Sequence, residues 1–178
     1  MPRSTSAVRA RTAASVGRGP PSRRDQLSVW SARVNSQQWV GCMDAATPSK
    51  GRAGRAFRCR DLWAAGARVV LGSDWPIAPY PPLQVMAGAR HRRPAGLSLP
   101  PHGPGQALTP LQALQGITLN AAWVAGEEQL AGRLAVGHRA DLTVLAGDPL
   151  DVPDDELAGL PVVLTVVAGR PTHRAAGL

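Results

Sequence analysis

Polar and apolar positions become periodic only in the second two-thirds of the chain. In AFRCRDLWAAG, Phe57, Leu62 and Trp63 are the apolar positions of a predicted helix, and Gly66 is its C-terminal stop. ARVVLG follows as a short β-branched strand bounded by glycine, so helix, turn and strand form the αβ half of a βαβ unit. WPIAPYPP is a proline-laden loop, LQVMAGAR a short helix, and HRRPAGLSLPPHGPGQ a long exposed loop. Thr109-Pro110 is a helix start, with threonine at the N-cap and proline at N1. The helix it opens, LQALQGITLNAAWVAG, ends on Gly126.

Beyond Gly126 the pattern turns to strands. DLTVL is one, and PVVLTVVAGRPTHR reads as two strands across a tight Ala168-Gly169 turn. PDDELAGL is a connector or a single helical turn between them. The longest apolar stretch, LPVVLTVVAG, is far short of the roughly 20 residues of a membrane span and is expected to be a buried strand.

Composition changes this picture mainly at the front. The net charge of +8 suggests nucleic acid, but residues 1–60 hold 12 Lys or Arg against Asp25 and Asp44, whereas residues 61–178 hold 8 Arg against 10 Asp or Glu. The basic character belongs to the front end alone. Residues 1–54 are rich in Arg, Ser, Ala and Pro, and are expected to be a disordered or mis-translated basic leader. Cys42 and Cys59 form no C-x-x-C and no zinc spacing, which fits a reduced, cytoplasmic protein. At 178 residues the chain is shorter than the roughly 250 of a complete (β/α)8 barrel.

Four blocks carry a family resemblance: LWAAGARVVLGSDWP, TLNAA, GRLAVGHRADLTVLAGDP and V-x-x-T-V-V-A-G-R. In this order the chain resembles the amidohydrolase superfamily of metal-dependent hydrolases, in the branch that includes N-substituted formamide deformylases. The resemblance runs from about residue 55 to the C-terminus. It implies an α/β fold: the C-terminal fragment of a (β/α)8 metallo-hydrolase barrel over residues 55–126, then the returning strands of a small β-sandwich over residues 127–178. It also implies hydrolysis of a non-peptide C–N bond in a small-molecule amide-type substrate, with a divalent metal, zinc by family, as cofactor.

Asp74, directly after the VVLGS strand, corresponds to the family's aspartate after the last barrel strand. That residue binds the metal and accepts a proton from its water. Metal binding lowers the pKa of water from 15.7 to about 7, and a base beside it must hold the released proton and pass it to the leaving nitrogen. Trp75 is a candidate substrate-binding residue or a cover for the barrel rim. Ser73 has no histidine placed to activate it. Thr118 and Asn120 are expected to shape a helix boundary through side-chain bonds to the backbone, Asp141 and Asp148 to be turn residues, and Arg90–Pro94 to be a solvated loop face.

The family's other metal ligands do not carry over. No His-x-His occurs, and His91, His102, His138 and His173 are expected to be surface residues, while Lys50 precedes the matching region. One oxygen donor does not hold a catalytic zinc, so the chain alone is expected to be inactive. Two other readings stay open. One is a non-catalytic degenerate module packing against a partner chain or oligomer. The other is nucleic-acid binding through the basic tail, where aromatic interleaving is confined to Trp30 and Trp39.

Overall fold

The computed structural model describes residues 27–31, 57–73, 75–76 and 79–177; the rest of the chain, Asp74, Cys42 and Lys50 included, lies outside the described residues. The chain enters as strand β1 (Leu27–Ser31), helix α1 (Cys59–Ala64) and strand β2 (Arg68–Gly72). Helix α2 (Pro82–His91), a 3-10 turn (Pro104–Gln106), and helices α3 (Pro110–Ile117) and α4 (Leu119–Ala125) follow. Strand β3 (Leu142–Leu145), the single turn α5 (Asp154–Leu157), and strands β4 (Val162–Val167) and β5 (Arg170–Arg174) complete it.

The fold is mixed α/β, with two separate sheets. β1 and β2 pair in parallel, Leu27 opposite Arg68 through Ser31 opposite Gly72. β3, β4 and β5 form an antiparallel sheet in that order. The strand at Leu27–Ser31 stands where the front end was expected to be disordered; backbone pairing with β2 gives its amides and carbonyls partners. The remainder of residues 1–54 lies outside the described residues.

β2 is the centre of the packing. Val69, Val70 and Leu71 are buried, as its β-branched run requires of a strand with helices packed on it. Helices α1, α2, α3 and α4 all contact it. The core gathers Cys59 from α1, Val69 and Leu71 from β2, Val85, Met86, Ala87 and Ala89 from α2, Leu108, Ala113 from α3, and Leu157 from α5. The last of these is fully buried, so the segment expected to be a connector or a single helical turn is that turn, and it also supplies a core side chain.

Local signals explain the helix limits. The α1 stop is Gly66 at φ +81°, where the Gly66 and Ala67 N–H groups donate back to the Trp63 and Leu62 carbonyls. Phe57 lies outside α1, at φ 55°. Thr109 caps α3 in a full capping box: its side chain accepts from the Gln112 N–H at 3.2 Å, and its own N–H donates to the Gln112 side chain at 3.0 Å. The expected single helix over 111–126 is instead broken at Thr118 (φ −122°, ψ −87°), giving α3 and α4 as two short rods, and α4 ends on Gly126 in the left-handed conformation.

Two further expectations change. The stretch around β4 is a strand, but only Val166 in it is buried; among the described residues the three-stranded sheet has no covering layer comparable to that over β2. The Arg90–Pro94 segment is not simply solvated, because Arg92 is only 2% exposed. Its Nε donates to the His102 carbonyl at 3.1 Å while the His102 N–H donates to the Arg92 carbonyl at 2.8 Å, which folds the long loop back on itself. Arg90 donates to the Pro149 carbonyl at 2.9 Å and to the Val152 carbonyl at 3.5 Å, and Arg93 pairs with Asp155 at 2.6 Å. The arginines therefore tie α2 and the loop after it to the segment that carries α5.

A Cβ at Gly116 would meet the Leu71 Cγ at 2.8 Å, so Gly116→Ala should lower unfolding free energy by about 1–3 kcal/mol in a urea titration. Burial pushes the Cys59 thiol up to about 12, with the Arg92 guanidinium beside it acting in the opposite direction. The folded thiol holds its proton while the unfolded one ionises near 9.0, so the stabilisation is complete below pH 9 and is lost as pH rises toward 12. Melting temperatures measured across that window should fall more steeply for the native sequence than for Cys59→Ser.

Candidate functional site

The exit of β2 is the place to look for chemistry, because a buried strand delivers its next residues in a fixed direction. β2 ends at Gly72, Ser73 follows in coil, and the chain reaches Trp75 and Pro76. Asp74, the residue expected to bind the metal and transfer the proton, lies outside the described residues.

What holds this exit in place is now visible. Asn120, only 6% exposed at the start of α4, donates from Nδ2 to the Val69 carbonyl of β2 at 2.9 Å. The amide thus serves as a strand neighbour for a buried carbonyl, which would otherwise need another partner. The expected role of Asn120, a local helix boundary, is replaced by this bond across 51 residues. Thr118 does act locally, its hydroxyl donating to the Leu114 carbonyl at 2.7 Å beside the helix break. The Arg68 guanidinium sits 4.6 Å from the centroid of the Trp123 ring, a second tie between β2 and α4.

Beyond the exit stands an aromatic pair. Trp75 and Tyr80 meet edge to face, centroids 5.6 Å apart and planes at 87°, and both are about two-thirds exposed. Trp75 was picked out by its place beside Asp74. Tyr80 was not, although the only tyrosine of the chain, set in the same proline-laden loop, was a usable signal.

The other candidate donors are scattered. His91 ends α2, His102 meets Phe57 edge to face at 6.3 Å, and His138 lies 3.2 Å from the Arg133 Nε. His173, exposed on β5, has Nε2 3.1 Å from the Val162 carbonyl. The first three are half-buried rather than plainly superficial. All four histidines are described, and among the described residues no three His, Cys, Asp or Glu side chains gather to hold a metal ion.

Asp148 is the turn residue expected, its Oδ1 accepting from the Leu150 N–H at 2.8 Å. Asp141 reaches much further: its Oδ1 accepts from the Ala168 N–H at 2.8 Å, and its Oδ2 faces the Arg139 Nε at 3.1 Å. Arg139 in turn pairs with Glu127 at 2.6 Å. These contacts raise the Arg139 pKa, the bond to Glu127 foremost. They join the β4–β5 turn to the segment just after α4. An open cleft of about 460 Å³ lies nearby, lined by Ala121, Ala122 and Ala125 of α4 and by Arg133 and Leu134; no residue of the β2 exit lines it.

Comparison with known proteins places these features in a family. Residues 30–173 match the profile described as the amidohydrolase family, so the similarity begins within β1, ahead of residue 55. The N-substituted formamide deformylase of Arthrobacter pascens is 36% identical over 115 residues, 65% of this chain and 21% of that protein. The amidohydrolase YtcJ of Bacillus subtilis (strain 168) is 31% identical over 122 residues, 68% of this chain and 23% of that protein. Among solved structures, the amidohydrolase from Thermotoga maritima MSB8 superimposes with a TM-score of 0.50 at 22% identity, over 67% of this chain and 26% of its own. The chain spans about a fifth of the length of the curated relatives it matches.

Removing the Asn120 amide leaves the Val69 carbonyl buried without that donor. Asn120→Ala should cost about 1–3 kcal/mol in chemical denaturation. An unchanged midpoint would mean that the bond contributes nothing to holding β2.

Proposed function

The chain belongs to the amidohydrolase family, and from that premise we propose that it forms the last part of a (β/α)8 hydrolase barrel with part of a small β-sandwich, acting on a non-peptide C–N bond of a small amide-type substrate. The observation that carries this reading is the β2 exit. A strand buried under four helices, inside the matched region, runs directly to Ser73 and then to Asp74. Barrel enzymes place their reacting groups at such strand ends.

Asp74 is the acid–base residue in this proposal. Its carboxylate takes a proton from the attacking water as the oxygen adds to the substrate carbonyl carbon. The same carboxyl group gives that proton to the departing nitrogen when the C–N bond breaks. Trp75, exposed beside it, contacts the substrate.

The divalent metal that the family implies, zinc foremost, does not fit the described donors. A catalytic zinc takes three protein ligands and a water, whereas the described residues bring no three donors together. No step of the reaction is routed through a metal held by these residues. The scatter of the four histidines also favours a second reading, a non-catalytic module that packs against a partner chain.

One experiment separates them. The chain is assayed for amine release from an N-substituted formamide with added zinc, alone and after co-refolding with the part of the Arthrobacter pascens deformylase that precedes the matched region. We expect no turnover from the chain alone, turnover from the mixture, and a loss of at least about 100-fold when the chain carries Asp74→Asn. Turnover by the chain alone would refute the incomplete site. A mixture equally active with Asp74→Asn would remove Asp74 from the chemistry and favour the non-catalytic module.

A further inference from the structure

We infer that the loop between α4 and β3 forms an interface with a second copy of this chain, the apolar tip of each loop seating in the cleft beside α4 of the other. Nothing in this contact depends on the chemistry at the β2 exit.

Val136 and Leu134 have the highest fractional exposure of the large apolar side chains described; Val136 is fully exposed and Leu134 80%. Leu130, in the same loop, is half exposed. Scattered apolar residues on a surface are ordinary, but three gathered in one loop mark a contact surface. The loop is also built to hold its shape. The Arg139 N–H donates to the Leu130 carbonyl at 2.8 Å and closes its ends, while the His138 N–H donates to the Ala135 carbonyl at 3.1 Å behind the tip. Gly132 seats it on α4, since a Cβ there would meet the Ala122 Cβ at 2.6 Å. A partner therefore meets a fixed tip and has little ordering to impose on it.

Beside the tip lies a hollow that would receive one. The cleft of about 460 Å³ is walled by Ile117, Ala121, Ala122 and Ala125, whose alanines are too short to fill it. Leu134 lines it from the loop side, whereas Val136 is not among its lining residues. Tip and hollow are thus neighbours on one face. An isologous two-fold contact requires that arrangement, because each copy must both give and receive.

Charge favours a second copy over an unrelated apolar partner. The charged residues lining the cleft are Glu127, Arg133 and Asp141. The two carboxylates share the guanidinium of Arg139, at 2.6 and 3.1 Å, which leaves one negative charge between them uncompensated. Arg133 donates from Nε to the His138 Nε2 at 3.2 Å, which gives it an acceptor but no counter-charge. The face therefore carries an excess cation and an excess anion together. A two-fold rotation can set Arg133 of each copy against the acidic rim of the other, so the patch matches itself in charge as well as in shape.

Sedimentation velocity of the full chain over a concentration series reads the association directly. We expect a reversible dimer. Val136→Asp puts a charge into both halves of the contact and should raise the dissociation constant at least about 100-fold, and Arg133→Glu at least about 10-fold. Both positions are exposed, and a circular dichroism spectrum matching the native sequence is the control that each variant folds. A monomer at every concentration, a dimer that either variant leaves intact, or open-ended association without a dimer would overturn the inference. So would a monomer that binds the preceding part of the Arthrobacter pascens deformylase and loses that binding with Val136→Asp, since the face would then belong to another chain.

Discussion

The fit of α3 and α4 against β2 is the constraint on which the rest of the structure depends. A helix can lie this close to a buried strand only where it offers no side chain, and Gly116 leaves that space for Leu71. Two residues after the break, Asn120 meets the strand with a hydrogen bond instead of with bulk. The two contacts differ in kind. The first is a matter of volume and tolerates little error in distance, whereas the second is directional and selects the orientation of the strand. Together with the Arg68–Trp123 contact they hold both ends of β2 against the same pair of helices, which in turn sets where Ser73 and the residues beyond it emerge.

How much of this could be read from the chain depended on whether the cause was local. The capping box at Thr109, the Gly66 and Gly126 stops and the Ala168-Gly169 turn are properties of a few adjacent residues, and each stands where the sequence placed it. Asn120 and Asp141 look like residues serving their own neighbours, yet they bond across 51 and 27 residues. Nothing in the flanking sequence distinguishes the two uses of the same side chain. Arg92 misleads for a related reason: a cluster of arginines suggests solvent, but a guanidinium has enough donors to satisfy the carbonyls of a loop folded over it. The break at Thr118 has no sequence signal because apolar spacing continues across it. The Trp75–Tyr80 contact has none either, because two aromatic residues in a proline-rich loop carry no period at all.

The family match and the donor inventory belong to different layers of the molecule. Similarity over residues 30–173 records how the backbone and core are built, and the described elements supply the causes of that similarity. Chemistry asks for a few side chains in one place, and here the histidines serve other neighbours: Phe57, Arg133 and the Val162 carbonyl. A core can be retained in a chain whose reacting groups are divided between segments, since packing energy is indifferent to whether a site is complete.

Leu157 gives the core a feature tied to the order of synthesis. It fills the space beside α2 from a single helical turn close to the C-terminus, while most of its neighbours in the cluster lie before residue 114. A chain leaving the ribosome at about 5–20 residues per second therefore presents the β2 layer to water or to chaperones for several seconds before its last apolar contact exists. Final closure of this core is a late event, set by the arrival of α5 and by the arginine bonds that hold the segment around it to α2.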